Sequence, residues 1–154
     1  MTQLRSRADE LNAGLITTEK DAVRLSPTDL ENIDELAEKS AGEPIDLLLN
    51  NAGIGGGAEN QIFGKLNYPV FYEVMAVNVM GPIKMCEAFR KNVEASDLKK
   101  MVTVSSSQGS IAEVTMPMLY WYRSSKAAVN MQMVNLALQM RRKNYRKEFT
   151  IMVD

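Results

Sequence analysis

Apolar residues are arranged in two ways along this chain. Short, mostly apolar runs bounded by turn residues cover residues 45–49 and 101–104, as expected of parallel strands buried on both faces. Residues 22–25 and 149–153 are two further strand candidates. The stretches between these runs carry apolar residues at helical spacing. Strands that alternate with helices in this way predict parallel βαβ units, so the sequence predicts an α/β fold.

Two of the predicted helices have recognisable starts. The first begins at Pro27, because Thr28 and Glu31 form a capping box. The second is expected to use Asn67 as its N-cap and to bend at Pro82. A glycine-rich loop, residues 53–57, lies between the two helices and directly follows the strand at 45–49.

The longest predicted helix covers residues 121–143, and its apolar residues form two nearly opposite stripes. One stripe contains Val129, Met133, Leu136 and Met140, and the other contains Ala127, Met131, Val134 and Leu138. A surface helix needs only one apolar stripe, so both sides of this helix should be covered. A second layer of the same chain is one explanation. The favoured one is a homodimer or tetramer formed through the two long helices, because this short chain has few residues left for covering.

Composition limits the kinds of protein this chain can be. Its 154 residues suffice for one domain, 1–154, and the apolar content of 45% is that of a globular protein. Because 18 basic residues are balanced by 19 acidic ones, the chain has no general attraction for nucleic acid or an anionic membrane. The single cysteine, Cys86, excludes intrachain disulfides and favours a reducing compartment, which predicts a cytoplasmic protein.

The chain contains no histidine, and this excludes several chemistries at once. Ser-His-Asp and Cys-His catalysis, histidine-ligated zinc and a histidine pH switch all require that side chain. No metal site is predicted. The available groups are tyrosine, lysine, serine, asparagine and carboxylates, with or without a bound cofactor.

The first candidate cluster is Asn50-Asn51-Ala52-Gly53, at the end of the strand predicted over 45–49. Two amides and a glycine there place hydrogen-bonding groups at the carboxyl edge of a parallel sheet, where open α/β sheets bind ligands. The alternative is a turn in which the asparagine side chains cap backbone groups.

The second candidate is Asn78, an amide within an apolar helix face. Such a side chain lowers stability unless it is hydrogen-bonded. It could belong to a functional site, or it could bond the carbonyls freed by the bend at Pro82.

The third cluster combines a serine run, residues 105–107, with Gly109, Tyr122 and Lys126. Tyr122 and Lys126 are four residues apart, so both project from one face of the helix. A phenol has a reference pKa of about 10, and lowering it to about 7 takes roughly 4 kcal/mol. One ammonium at about 4 Å supplies roughly that at an effective dielectric constant of about 20. The alternative is an aromatic ring lying on a lysine stem.

Together, in this order, the clusters resemble the short-chain dehydrogenase/reductase family from about residue 20 to the end. The matching features are Asn50-Asn51-Ala52-Gly53, Asn78 with Val79 and Gly81, the serine run with Gly109, and Tyr122-x-x-x-Lys126. Residues 122–130 are most similar to the carbonyl-reductase and C-factor branch. The resemblance implies a Rossmann-like parallel sheet with flanking helices and hydride transfer between NAD(P)H and a carbonyl or alcohol.

The resemblance also implies roles for single residues. Tyr122 would exchange a proton with the substrate oxygen, and Lys126 would lower the pKa of Tyr122 and bond the nicotinamide ribose. Ser106 would hold the substrate oxygen, with Ser105 and Ser107 as weaker candidates. Asn78 would hold a water in the proton relay.

The cofactor would lie along Asn50, Asn51, Ala52 and Gly53, besides Tyr122 and Lys126. NADP is slightly preferred over NAD, because Arg5 and Arg7 fall where NADP-dependent members have basic residues. The expected substrate pocket, residues 111–119 with 55–62, is mostly apolar and indicates an uncharged small-molecule carbonyl compound.

The sequence departs from the family at both ends. The family's opening glycine-rich turn, which binds the pyrophosphate, is not found in it, and Ser26 stands where the family commonly has aspartate. It also stops before the family's Pro-Gly segment. We therefore expect a partial domain that lacks the family's first strand, leaves residues 45–49 with a bare edge, binds dinucleotide weakly and has no measurable turnover alone.

The alternative function is a non-catalytic dinucleotide-fold protein, serving as a regulatory or assembly subunit. A protein of that kind has no reason to keep the complete tyrosine, lysine, serine and asparagine set. The enzyme is therefore the preferred interpretation.

Overall fold

The computed structural model describes residues 15–17 and 27–142. Three parallel strands form one sheet in the order β1 (Leu15–Thr17), β2 (Leu47–Asn50) and β3 (Lys100–Thr103). Leu48 pairs with Ile16 on one side and with Met101 on the other. The strands predicted over 45–49 and 101–104 are confirmed as β2 and β3, with small differences at their ends. The α/β fold class is likewise confirmed.

The prediction that the strand at 45–49 has an unpaired edge is wrong. β1 pairs with β2 along its full length, so β2 lies between two strands. The three residues of β1 form too short an apolar run to stand out in the sequence. The other two strand candidates, 22–25 and 149–153, lie outside the described residues.

Helices connect and cover the sheet. α1 (Pro27–Lys39) follows β1, and the chain turns after it at Gly42, whose φ of +85° suits glycine. Between β2 and β3 come α2 (Tyr68–Met75), a π-helical segment (Ala76–Met80), α3 (Gly81–Ala88) and the short α4 (Arg90–Glu94). α5 (Tyr120–Arg142) is the longest helix. All three predicted helices are therefore present.

The second predicted helix differs from expectation in two details. Its irregularity is the π-helical segment, in which the Gly81 N–H donates to the Ala76 carbonyl five residues back. α3 continues from this segment with Pro82 in its first turn, where proline has no N–H to donate to the preceding turn. Asn67 stands at the N-cap of α2, but its side chain donates to Asn60 Oδ1 at 3.0 Å and caps nothing.

The hydrophobic core lies between β2, β3 and the helices α3 and α5. Leu48 and Phe89 are completely buried at its centre. The other members of the core are Ile45, Met85, Cys86, Val93, Met101, Val129 and Met133.

The two stripes of α5 have different surroundings. On the inner stripe Val129, Met133 and Met140 are buried. On the opposite side Met131, Val134 and Leu138, which we call the outer stripe, are exposed by 64%, 49% and 51%. A second layer of the same chain over the outer stripe is therefore not found among the described residues. Within the described ranges, no helix has the length and apolar character that crossing a membrane requires.

Candidate active site

The candidate residues converge where β2 and β3 end and the first half of α5 passes over them. The Val104 N–H donates to the Asn50 carbonyl at 2.9 Å, which extends the pairing of the two strands. Lys126 reaches from α5 to the same place, and its Nζ donates to the Val104 carbonyl at 3.0 Å. The sheet edge and the helix are therefore joined by the lysine itself.

Lys126 is only 5% exposed, and burial lowers its pKa, because a charged ammonium is poorly solvated there. Its Nζ lies 5.7 Å from the centre of the Tyr122 ring, within the range of a cation–π contact. Tyr122 is half-buried, one helical turn before the lysine. The structure thus brings the predicted phenol and ammonium together on one face of α5.

Asn78 lies in the π-helical segment and is 2% exposed. Its Oδ1 accepts from the Ile54 N–H, and its Nδ2 donates to the Ile54 carbonyl and to Ser125 Oγ, each at 2.9 Å. These partners belong to the glycine-rich loop and to α5. Asn78 therefore joins three parts of the site, and none of these bonds goes to a carbonyl of the bend.

Gly53, the first residue of the glycine-rich loop, lies directly against this network. A Cβ at Gly53 would be 3.4 Å from Asn78 Oδ1 and 3.5 Å from Lys126 Nζ. The loop thus passes beside the amide oxygen and the ammonium, both of which are fixed by other contacts. A group that bound along the loop would meet both side chains.

Residues 105–109, which we call the serine turn, pack on α5. A Cβ at Gly109 would be 2.8 Å from the carbonyl carbon of Lys126, so only glycine permits this approach. Ser106 is half-buried, and its Oγ accepts from the Gln108 N–H at 3.2 Å. Ser105 is buried, with no hydrogen-bond partner for its Oγ among the described residues, whereas Ser107 is exposed.

The four residues predicted to line the cofactor at the end of β2 have different environments. Asn50 is 3% exposed and points into the core, where its Nδ2 donates to Thr103 Oγ1 at 3.2 Å and lies 3.4 Å from Cys86 Sγ. Asn51 is exposed, and Ala52 is half-buried, as is Gly53. The Asn50 side chain therefore ties β2 to β3 and α3, a contact that the sequence did not indicate. Its role in cofactor binding stays a prediction.

Two residues that the sequence analysis missed belong to the site. Ser125 is completely buried, accepts from Asn78 and donates to the Tyr122 carbonyl at 2.7 Å. Gln61 is 3% exposed and connects the glycine-rich loop to the first turn of α5. Gln61 stands in no sequence motif, and Ser125 occupies an unassigned position within Tyr122-x-x-x-Lys126. The bonds that tie each residue to another element join positions far apart in the chain, so no local signal pointed to them.

The expected substrate pocket is an open apolar surface. Ile111, Val114, Met116 and Met118 are exposed by 84%, 48%, 59% and 45%. Ile62 and Phe63 are also exposed, and Phe63 stacks on Tyr120 at the start of α5 with ring centres 6.3 Å apart. Within the described residues, no group of three or more histidine, cysteine, aspartate or glutamate side chains is placed to hold a metal.

Comparison with known proteins identifies the family. The short chain dehydrogenase family model matches residues 2–151. The chain belongs to this family. The C-signal protein of Myxococcus xanthus is 32% identical over 98 residues, which are 64% of this chain and 58% of that protein. The (+)-neomenthol dehydrogenase of Arabidopsis thaliana is 34% identical over 108 residues, covering 59% of this chain and 36% of that enzyme.

Solved structures of the family have the same fold. A short-chain dehydrogenase/reductase from Burkholderia multivorans with bound NADP superposes with a TM-score of 0.68 at 25% identity, covering 97% of this chain and 60% of that one. The carbonyl reductase Sniffer of D. melanogaster gives a TM-score of 0.64 at 20% identity and supports the fold alone. The chain spans three fifths or less of the length of these relatives. The predicted Rossmann-like sheet and the family are thereby confirmed.

Proposed function

We propose that the site around Tyr122 and Lys126 transfers hydride between a nicotinamide cofactor and a carbonyl or alcohol. The observation that carries the proposal is the position of Lys126. Its buried ammonium is fixed by the Val104 carbonyl, lies at the Tyr122 ring and adjoins the glycine-rich loop at Gly53. In this position one ammonium can act on the Tyr122 phenol and also bind a ligand that lies along the glycine-rich loop.

Tyr122 is the proposed proton donor to the carbonyl oxygen, or the acceptor in the reverse direction. General acid–base catalysis of this kind is worth about 10²–10⁴ in rate. Ser106 would hold the substrate oxygen, because its turn is fixed against α5 by Gly109. Both donors of Asn78 are used within the protein, so a relay water would have to donate to its Oδ1, which has a second lone pair.

The described residues fit a dinucleotide beside the glycine-rich loop. Lys126 has three N–H donors, and Val104 uses one of them, which leaves two for ribose hydroxyls. Gly53 presents no side chain between the loop and Lys126, and a Cβ at Gly55 would meet nothing within 4 Å, so the space beside Gly55 is open. When bound, the nicotinamide would supply or accept the hydride.

NADP is the proposed form of the cofactor. The Burkholderia relative was solved with NADP. The predicted contribution of Arg5 and Arg7 lies outside the described residues.

The proposed substrate is an uncharged, small-molecule carbonyl compound. The apolar side chains of residues 111–118 and of Ile62 support this, because they are exposed beside the serine turn and the start of α5. These apolar side chains offer no hydrogen bond to a charged substrate, and the charged groups nearby, Glu113 and Arg123, line a separate small cavity beside the serine turn.

The proposed assembly is a homodimer or tetramer formed through the long helices. The outer stripe of α5 supports it, since three large apolar side chains in one row are about half exposed or more. The buried, unpaired Cys86 is consistent with a reducing compartment such as the cytoplasm. The same stripe also favours the second candidate function, a non-catalytic regulatory or assembly subunit.

Two measurements test the proposed function. The 154-residue chain should bind NADPH weakly, and energy transfer from Trp121, the only tryptophan, reports the binding. Lys126→Met should abolish that transfer, and micromolar affinity in the unmodified chain would contradict the expected weak binding. In a version extended to the length of the relatives, Tyr122→Phe should abolish carbonyl reduction and leave NADPH affinity nearly unchanged. Retained turnover would favour the non-catalytic alternative.

A further inference from the structure

Gln61 makes four hydrogen bonds to two distant parts of the site. It ends the short 3₁₀ turn Ala58–Gln61 and is 3% exposed. Its Nε2 donates to the carbonyls of Gly55 and Gly57 at 2.8 and 2.9 Å. Its Oε1 accepts from the N–H groups of Trp121 and Tyr122 at 2.8 and 3.1 Å. The amide thus uses both its donors and both its lone pairs.

The bonds to α5 replace a missing local cap. The first N–H groups of a helix have no partner within the helix, and a side chain just before the helix commonly accepts from them. For α5 that acceptor comes from about 60 residues earlier in the chain. The Gln61 oxygen also faces the positive end of the helix dipole, which strengthens the contact.

The bonds to the glycine-rich loop fix its second half. Gly56 has a φ of +75°, and a Cβ there would be 2.7 Å from the Val74 side chain, so the loop is pressed against α2. Asn78 fixes the first half of the loop through Ile54 and reaches α5 through Ser125. The loop is therefore attached to α5 at two points, by Asn78 and by Gln61.

We propose that Gln61 is a positioning residue that sets the position of Tyr122 relative to the glycine-rich loop. This rests on the proposed function, in which the loop borders the dinucleotide and Tyr122 is the proton donor. The tyrosine's own backbone N–H is one of the four bonds, so a shift of Gln61 moves the loop and the phenol against each other. Gln61 itself touches no reacting atom.

Two variants separate the two sides of this contact. Gln61→Met keeps the length of the side chain and removes all four bonds. Gln61→Glu keeps an acceptor for the N–H groups of Trp121 and Tyr122, and the helix dipole favours its negative charge there. It removes the donors to the loop, because a carboxylate oxygen repels the Gly55 and Gly57 carbonyls. Asn60→Ala is the matched control, because Asn60 donates to the Gly56 carbonyl of the same loop at 3.0 Å and makes no bond to α5.

Hydrogen exchange measures the contact without requiring activity. In Gln61→Met the amides of Trp121 and Tyr122 should exchange about 10- to 100-fold faster, as for the loss of a buried bond worth about 1–3 kcal/mol. In Gln61→Glu they should stay protected, while the amides of Ile54 and Asn60, which are hydrogen-bonded in and beside the glycine-rich loop, exchange faster. Asn60→Ala should leave both α5 amides unchanged. Unchanged amides in Gln61→Met, or equal acceleration along all of α5, would overturn the inference.

Kinetics of the extended protein supply the second readout. Both variants should weaken NADPH binding several-fold and lower kcat, Gln61→Met by about tenfold or more and Gln61→Glu by less, because Gln61→Glu keeps the bonds to α5. Equal kcat in the wild type and Gln61→Met would contradict a positioning role. The two proposals can fail separately. If the wild type neither binds NADPH nor reduces a carbonyl, the proposed function is wrong. If the hydrogen-exchange results are as predicted in that case, the Gln61 contact between the loop and α5 is still confirmed.

Discussion

The two halves of α5 are held in place by different forces. In the first half the backbone N–H groups of Trp121 and Tyr122, the Ser125 hydroxyl and the Lys126 ammonium all make hydrogen bonds to other parts of the site. In the second half the contacts to the core are mainly apolar and include the buried Met133 and Met140, with a weak hydrogen bond from the Thr103 hydroxyl to the Met133 sulfur.

This difference matches what each half has to do. Hydrogen bonds depend on direction and fix side chains at the distances that proton transfer needs. Apolar burial depends mainly on area, so it supplies stability without fixing an orientation. Substitutions in the first half should therefore change the site, whereas those in the second half should change stability or association.

The largest effect on stability is expected in the second half, at Met133. Met133 is 5% exposed, and the Thr103 hydroxyl donates to its sulfur at 3.3 Å. Met133→Ala should lower the free energy of unfolding by about 2–5 kcal/mol, because it leaves a cavity in the core. Urea denaturation measures this. Met131→Ala is the control: Met131 on the outer stripe is 64% exposed, so the substitution should change the free energy of unfolding of the monomer by less than about 0.5 kcal/mol. Equal losses of the free energy of unfolding in the two variants would contradict the distinction between the buried inner stripe and the exposed outer stripe.

The next largest effect is expected at Gly109, where the serine turn meets the first half of α5. A Cβ at this residue would be 2.8 Å from the Lys126 backbone, so Gly109→Ala should cost about 1–3 kcal/mol and displace the turn. Thermal unfolding measures the loss. Gly55→Ala is the matched control, since a Cβ there meets nothing within 4 Å. If Gly109→Ala leaves the thermal stability unchanged, the serine turn is not tightly packed against α5.

A smaller effect is expected from the buried ammonium of Lys126. Burial lowers its pKa below the ordinary 10.5, so between the two values the unfolded chain binds more protons than the folded one. The free energy of unfolding should therefore rise with pH just below 10.5, relative to Lys126→Met. Cys86, whose pKa burial raises to about 11, has the opposite effect above pH 9.0. Cys86 is present in both proteins, so the difference between their free energies of unfolding reports on Lys126 alone. If that difference does not change with pH, the prediction is wrong.

The smallest effect on folding is expected at Leu138 of the outer stripe. Leu138→Glu should change the free energy of unfolding of the monomer by less than about 0.5 kcal/mol, because the residue is half exposed. It should, however, dissociate the proposed oligomer, which sedimentation velocity would detect. Gln139→Glu adds the same charge at the adjacent exposed residue and should leave the assembly intact. An unchanged assembly in Leu138→Glu would exclude the outer stripe as the interface.

The sequence predicted the parts of the molecule with strong local patterns. β2, α1 and α5 have apolar runs, a capping box or long periodicity, and the structure has all three. β1 was missed because it has three residues and is defined by its pairing with Leu47–Leu49, some 30 residues away. The order of the site motifs indicated the family, but the contacts of Gln61, Ser125 and Asn50 depend on residues that only folding brings together.

Because of the π-helical segment, the number of residues between α2 and α3 matters as much as their identity. One residue more than an α-helix needs is accommodated between α2 and α3, and Asn78 lies in that stretch. Removing a single residue there would let a regular α-helix run through the segment with its two flanks in nearly their present orientation. Cys86 and Phe89 would then stay in the core, whereas the bulge that presents Asn78 to Ile54 would be lost. A relative that is one residue shorter at this point would therefore need a different way to attach its loop.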